Sequence, residues 1–156
     1  MPEPNPEFIP AIRLRHTELE RRDQHASWTR TDEAFFAAGA CHVLAFALLS
    51  RHPREDRTAV FLRPVGGLPG SHVYVRRGAW AFDFNGWTTE DVLLAANTAE
   101  CRQSWPAWEC DRIDIAEPIE TFCVTWNHRL PRDFAGDAMA RANRYLDRFP
   151  GDPPTT

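Results

Sequence analysis

Cys41 lies two residues after Gly39, within the most apolar stretch of the chain, residues 34–49. A helix over this stretch has almost no polar face, so it is predicted to be central and buried. It either continues through Gly39 or breaks there and restarts at Cys41. The free amides and the dipole at a helix N-terminus favour a thiolate over a thiol. A restart therefore predicts a reactive thiol, with the backbone amides of Cys41 and His42 as donors to an oxyanion in acyl transfer.

An imidazole and a carboxylate lie on two segments, 71–76 and 79–84, in which apolar and polar residues alternate as they do in strands. A two-residue loop between the segments predicts a β-hairpin in which His72 lies directly opposite Asp83. Directly opposed Cβ atoms are about 5 Å apart, which allows a hydrogen bond between the imidazole and the carboxylate. A loop longer by one residue would place Phe82 opposite His72 instead.

Cys41, His72 and Asp83 together have the chemistry of a thiol nucleophile system. The imidazole takes the thiol proton, and the carboxylate orients the ring and stabilises the imidazolium. Each residue also has an ordinary structural explanation, since a cysteine in an apolar helix usually serves as a small hydrophobic residue. Asn85, on the same predicted strand face as Asp83, is an alternative partner for the imidazole.

The candidate substrate-binding residues border the predicted catalytic strand. Trp87 follows that strand, Trp105 begins an irregular segment, and Asn85 is a polar group close to the candidate carboxylate. Large aromatic side chains at the edge of a cleft often contact a ligand. Burial in the core remains the alternative for both tryptophans.

The order Cys, His, Asp resembles the papain-like superfamily in its broad sense, which includes transglutaminase-like and arylamine N-acetyltransferase-like thiol enzymes. The chain is also similar to small bacterial proteins of unassigned function that share three short motifs. These motifs are G-x-C-H at residues 39–42, H-V at 72–73 and D-x-x-G at 83–86. The similarity covers residues 31–100. It implies an α+β domain with a papain-like core, and it assigns the roles of nucleophile, base and orienting acid to the same three residues.

One departure from this resemblance bears on the reaction. Papain-type proteases carry a glutamine several residues before the cysteine and an aromatic residue after it, whereas Phe35 and His42 stand in those regions here. The resemblance therefore favours amidase, deamidase, transglutaminase or acyltransferase chemistry over endopeptidase activity.

Net charge and segment lengths restrict the expected partners. The formal net charge is −4 and the pI is about 5.8, which predicts no nucleic-acid partner and no attraction to anionic membranes. The start of the chain lacks the basic and apolar regions of a signal peptide, and residues 34–49 are too few to span a membrane. The expected location is the cytoplasm, or outside the cell by a signal-less secretion route.

The four cysteines form no close pairs in sequence, which is typical of free thiols in a reducing compartment. No metal ion and no cofactor is predicted. An alternative is a zinc-supported fold, because Cys101, Cys110, Cys123 and His128 are zinc-compatible side chains, although they lack the C-x₂-C spacing of common structural sites.

The chain is predicted to form one α+β domain over residues 31–149, with the buried helix packed on an antiparallel sheet and other helices on the outer side. An extended arm and a short surface helix are predicted for residues 1–30, and a disordered tail for 150–156. Residues 119–126 are predicted as a strand and 137–149 as a terminal amphipathic helix.

These patterns lead to one functional hypothesis and one alternative. The hypothesis is a cysteine-dependent acyl-group enzyme, either a peptidase, a deamidase or an acyltransferase, that acts on a protein, a peptide or a small amide or thioester. The alternative is a non-catalytic protein-binding module, such as an immunity or adaptor protein, in which the triad residues serve the structure.

Overall fold

Five strands and seven α-helices make up the described part of the chain, residues 8–154 of a computed structural model. The strands are β1 (Arg57–Pro64), β2 (His72–Arg77), β3 (Trp80–Asp83), β4 (Gly86–Thr89) and β5 (Cys110–Ile115). The helices are α1 (Glu18–Arg22), α2 (Gln24–Trp28), α3 (Asp32–Ala37), α4 (Cys41–Arg51), α5 (Glu90–Ser104), α6 (Ile119–Trp126) and α7 (Ala138–Leu146). All strands pair antiparallel in the order β4-β3-β2-β1-β5, which confirms the predicted α+β class.

The apolar stretch around Cys41 forms two helices rather than one. Helix α3 ends at Ala37 and helix α4 begins at Cys41. Gly39, between them, has a φ of 108°, a backbone conformation that glycine adopts without strain. Seven of the 11 residues of α4 are buried, which confirms the predicted central buried helix.

Each face of the sheet packs on its own hydrophobic cluster. Along β1, Ala59 and Phe61 pack in the larger cluster with residues of α3, α4, α6 and α7. The alternate residues of β1, Val60 and Leu62, pack in a smaller cluster with Leu93 of α5. Because successive side chains of a strand point to opposite faces, β1 is buried on both sides. Helix α4 therefore belongs to the larger, four-helix side of the sheet.

The hairpin of β2 and β3 has a register two residues away from the predicted one. Arg77 pairs with Trp80, so the two-residue loop begins at Gly78, whose φ of 59° suits glycine. Both predicted pairings of His72, with Asp83 and with Phe82, are therefore wrong. A shift of two residues preserves the alternation of side chains, so the imidazole and the carboxylate meet as diagonal neighbours.

Residues 119–126 form helix α6, so the predicted strand is wrong. The aromatic and β-branched content favours a strand, but the buried residues Ile119, Phe122 and Cys123 follow the i, i+3, i+4 spacing of one helix face. The carbonyl of Pro118 accepts a hydrogen bond from the amide of Phe122 (3.0 Å), which closes the first turn. The irregular segment from Trp105 onward contains the edge strand β5.

The N-terminal segment is held against the domain. The backbone of Ile9 exchanges two hydrogen bonds with the Asn85 side chain, both 3.0 Å long, and the Ala11 amide donates to Asn97 (3.3 Å). A 3-10 helix (Ala11–Leu14) and the short helices α1 and α2 follow. The part of the predicted arm that precedes residue 8 lies outside the described residues.

The C-terminal tail, predicted to be disordered, makes defined contacts up to Asp152. The Trp87 indole donates to the carbonyl of Pro150 (3.0 Å), and the buried Arg57 guanidinium donates to the Gly151 carbonyl and the Asp152 carboxylate, both at 2.6 Å. The last two residues of the predicted tail lie outside the described part. Among residues 8–154, no helix has the length and apolar character needed to cross a membrane.

Candidate active site

The start of α4 is shaped by the close approach of the His16 imidazole to Gly39. A Cβ atom on Gly39 would lie 2.3 Å from Cε1 of His16, so only glycine fits there without displacement of the imidazole. Ala40, which precedes α4, has no side-chain group to cap the first amides of the helix. The amides of Cys41 and His42 therefore remain available to an oxyanion.

His72 and Asp83 form a buried pair. The Nε2 atom of His72 lies 3.0 Å from Oδ2 of Asp83, and both side chains are 1% exposed. The second carboxylate oxygen, Oδ1, accepts hydrogen bonds from the backbone amide (2.8 Å) and the side-chain amide (3.0 Å) of Asn85. Both carboxylate oxygens of Asp83 thus accept hydrogen bonds, and the carboxylate holds the His72 ring with Nε2–H directed toward it.

The other ring nitrogen of His72, Nδ1, is not engaged by Asp83. Among the described residues, Nδ1 of His72 has no hydrogen-bond partner although it is buried. The ring interacts electrostatically with Cys41, and that thiol is 7% exposed. One imidazole nitrogen is therefore bound to the carboxylate, and the second remains open to another group.

The environment favours an ion pair between the thiol and the imidazole. Burial opposes ionisation of Cys41, but the imidazoles of His42 and His72 outweigh it and lower its pKa from 9.0 to about 6. Burial also opposes protonation of His72, yet Asp83 and Cys41 raise the pKa of that imidazole to about 10. Both pKa shifts favour thiolate and imidazolium over thiol and neutral imidazole, and the thiolate is the form of cysteine that acts as a nucleophile.

His42 contributes a second imidazole to the thiol, a role that the sequence did not indicate. Its ring is fully buried, and Nε2 lies 2.7 Å from the carbonyl oxygen of Arg129. Burial lowers the pKa of His42, but hydrogen bonding to Cys123 and Cys41 and the charge of Cys41 raise it to about 9. The raised pKa of His42 therefore favours a protonated imidazole near the sulfur.

A cavity of about 730 Å³ opens beside Cys41. Its walls come from the N-terminal segment, the start of α4, the end of β1, the loop before β2 and the end of α6. The polar side chains that line it include Arg15, His16, Arg21, Arg63, His128 and Arg129. Since these residues come from separate parts of the chain, no local sequence pattern could have grouped them.

The three predicted substrate-binding residues lie outside this cavity. Trp87 contacts the C-terminal tail and packs on Phe82 with ring centroids 5.2 Å apart. Trp105 supports the guanidinium of Arg15, which lies 5.3 Å from its ring centroid. Asn85 binds Asp83 rather than His72, so in this structure it positions the carboxylate instead of replacing it.

We expect Asn85→Ala to slow the alkylation of Cys41 by iodoacetamide about 2- to 10-fold, because one hydrogen bond of about 0.5–1.5 kcal/mol to Asp83 is lost. The same change also removes the two bonds to Ile9. The measurement is the rate of carbamidomethylation at pH 6.5, followed by peptide mass spectrometry. Asn143→Ala is the matched control, because it removes an exposed side-chain amide that donates to the Met139 carbonyl within α7. Equal rates in both variants would contradict the positioning role.

The cysteines do not gather into a metal centre. Among residues 8–154, no three His, Cys, Asp or Glu side chains are grouped so that they could hold a metal ion. Cys123 donates to the Arg129 carbonyl (3.5 Å) next to His42, whereas Cys101 lies against Gly70 and Trp108. No protein-family model, no curated protein and no solved structure matches the chain. The functional conclusion therefore depends on the geometry of this site.

Proposed function

We propose that this protein is a cysteine-dependent acyl-group enzyme with a papain-like core. Cys41 is the nucleophile, His72 is the proton acceptor and donor, and Asp83 positions the imidazole. The observation that carries the proposal is the placement of the two ring nitrogens of His72. One nitrogen bonds a buried carboxylate, and the other has no partner among the described residues. The Cys41 thiol, with which this ring interacts electrostatically, lines the 730 Å³ cavity. Cys41 begins a helix, and His72 and Asp83 follow it in the chain on a hairpin. This order supports the papain-like assignment.

The reaction begins from the thiolate and imidazolium pair. The sulfur of Cys41 attacks the carbonyl carbon of an amide or thioester, a C–S bond forms, and the carbonyl electron pair moves to oxygen. The backbone amides of Cys41 and His42 donate hydrogen bonds to that oxyanion. When the tetrahedral intermediate collapses, the imidazolium of His72 gives its proton to the leaving amine or thiol. A thioester between the acyl group and Cys41 remains.

The acyl group then passes to a second nucleophile. Neutral His72 takes a proton from a water molecule or an amine as that molecule attacks the thioester carbonyl. The C–S bond breaks and Cys41 leaves as a thiolate beside the newly formed imidazolium, which restores the starting state. Water as the second nucleophile gives peptidase or deamidase activity, and an amine gives acyl transfer.

Selective alkylation of one thiol tests this proposal. We expect iodoacetamide to label Cys41 first at pH 7, because burial raises the pKa of Cys101 to about 11 and also raises that of Cys110. The labelling rate of Cys41 should rise as the pH increases through about 6, where the thiol ionises, and then stay level to pH 9. Peptide mass spectrometry of samples quenched at intervals gives a separate rate for each cysteine.

Two variants define the outcome. Cys41→Ser should remove the fast labelling, whereas Cys110→Ser, at a half-buried thiol outside the cavity, should leave it unchanged. Equal slow labelling of all four cysteines in the wild-type protein would contradict the proposal. That result would favour a non-catalytic binding or adaptor module in which the three residues serve the structure.

A further inference from the structure

The cavity beside Cys41 carries positive charge that no acidic side chain balances. Four arginines line it, Arg15, Arg21, Arg63 and Arg129, and no Asp or Glu is among the described residues that form its walls. The whole chain has 22 acidic and 18 basic residues, so the sign of the charge in the cavity is opposite to that of the whole chain. Such a cavity concentrates anions near its walls.

Most arginines of this chain form an ion pair with a carboxylate, but those of the cavity form none within the described part. Eleven of the 18 arginines form ion pairs with Asp or Glu. The seven that form none within the described part are Arg15, Arg21, Arg63, Arg102, Arg129, Arg132 and Arg144. Four of these seven line the cavity that contains the proposed nucleophile.

Three of the four guanidinium groups are held by aromatic rings. Arg15 lies 5.3 Å from the ring centroid of Trp105. Arg63 lies 4.9 Å from that of Trp126, and Arg129 lies 5.3 Å from that of Phe134. A ring face fixes the position of a guanidinium without cancelling its charge or occupying its N–H donors. These donors therefore remain available to an anion, which arginine binds through paired hydrogen bonds.

The neutral imidazole in the same wall agrees with this positive field. Burial is the main cause that lowers the pKa of His16 to about 4, and the charges of Arg30, Arg129 and Arg21 add to it. Glu20 acts in the opposite direction but does not outweigh them. At neutral pH His16 is therefore an uncharged wall residue, and the arginines supply the charge.

We infer that the substrate of Cys41 is anionic, with a carboxylate or phosphate group that the cavity arginines bind while the neighbouring carbonyl is attacked. This inference rests on the proposed function, since it names the substrate class of that same nucleophile. An acidic peptide or a small dicarboxylic amide or thioester fits this description. A cationic or purely apolar acyl group does not.

Two alkylating reagents of nearly equal size test the inference, because iodoacetate is an anion and iodoacetamide is neutral. In each case the Cys41 sulfur bonds to the CH₂ carbon and iodide leaves. We expect the ratio of the iodoacetate rate to the iodoacetamide rate at Cys41, in low salt, to exceed the ratio for the urea-unfolded chain at least tenfold. In 1 M NaCl the ratio should fall toward the unfolded value, because salt screens the arginines.

Arginine variants separate this effect from that of the imidazolium. Arg63→Gln and Arg129→Gln should each lower the ratio several-fold, while His72 remains in place. Arg144→Gln removes an exposed, unpaired arginine outside the cavity and should leave the ratio unchanged. A ratio that is the same in all three variants and in high salt overturns the inference. If iodoacetamide still labels Cys41 fast in that case, the proposed function stands, whereas slow labelling by both reagents overturns the function itself.

Protection by unreactive ligands distinguishes the two anion classes. Succinate or inorganic phosphate, present during alkylation by iodoacetamide, should slow the labelling of Cys41 in the wild-type protein. Stronger protection by succinate indicates a carboxylate substrate, and stronger protection by phosphate indicates a phosphorylated one. Equal protection by the neutral succinamide would overturn the anionic assignment.

Discussion

Replacing His72 with alanine is expected to lower the rate at which iodoacetamide labels Cys41 at pH 7 by between about 10- and 100-fold. A thiol with a pKa near 6 is roughly nine-tenths ionised at pH 7, and one with an ordinary pKa near 9 is roughly one-hundredth ionised. Burial raises the pKa of Cys41, so without the imidazole charge the thiol form is favoured. Because His42 also favours the thiolate, the labelling rate should fall by less than the ratio of these two ionised fractions. The measurement is a pH series of alkylation rates from pH 5 to 10.

The controls for this variant separate loss of the base from loss of the fold. His25→Ala removes an exposed imidazole, and iodoacetamide should label Cys41 in this variant as fast as in the wild type. Asp83→Asn keeps the shape of the carboxylate but removes its charge, so its pH profile should shift upward by less than that of His72→Ala. An unchanged profile in a folded His72→Ala variant would contradict the role of His72 and leave His42 as the source of the thiolate.

Replacing Arg141 with methionine is expected to lower the free energy of unfolding by about 3–5 kcal/mol. The guanidinium is almost entirely buried and donates to the carboxylate of Asp32 (2.8 Å) and to the carbonyls of Trp28 (2.6 Å) and Arg30 (2.8 Å). It also lies 4.1 Å from the ring centroid of Phe35. Methionine would retain part of the apolar contact but leave both carbonyls without this donor. Urea unfolding followed by tryptophan fluorescence measures the change.

Arg144→Met is the matched control, because Arg144 lies on the same helix, α7, but is exposed and forms no ion pair among the described residues. We expect it to change stability by less than about 0.5 kcal/mol. Equal stability of the two variants would show that the contacts of Arg141 are replaced by water without loss. Since Arg141 joins α7 to the segment that leads into α3 and α4, its variant should also label more slowly at Cys41.

Local pattern was sufficient for the parts of the site that depend on one element at a time. The apolar run predicted the buried helix, and Gly39 indicated where that helix could break before Cys41. The alternating residues around His72 and Asp83 predicted the hairpin that carries the imidazole and the carboxylate. The predicted register was wrong by two residues, yet an even shift keeps both side chains on one side, so their pairing survived the error.

Other features depend on contacts between distant parts of the chain and were not predictable from pattern. The composition of residues 119–126 favours a strand, but packing of one helical face, Ile119, Phe122 and Cys123, in the core decides for helix α6. The assignment of Trp87 to substrate binding followed from its place beside the catalytic strand. Its contact with the tail, 63 residues away, became visible only in the fold.

The sequence by itself determined the chemistry available to this protein: a thiol at a helix start, and an imidazole and a carboxylate on one hairpin. The tertiary structure decided which of these groups meet. It placed Nε2 of His72 on Asp83, set His42 beside the sulfur and gathered four unpaired arginines around Cys41. The physical reason is that local propensity specifies the conformation of a segment, whereas the position of a charge relative to a nucleophile depends on how separate segments pack.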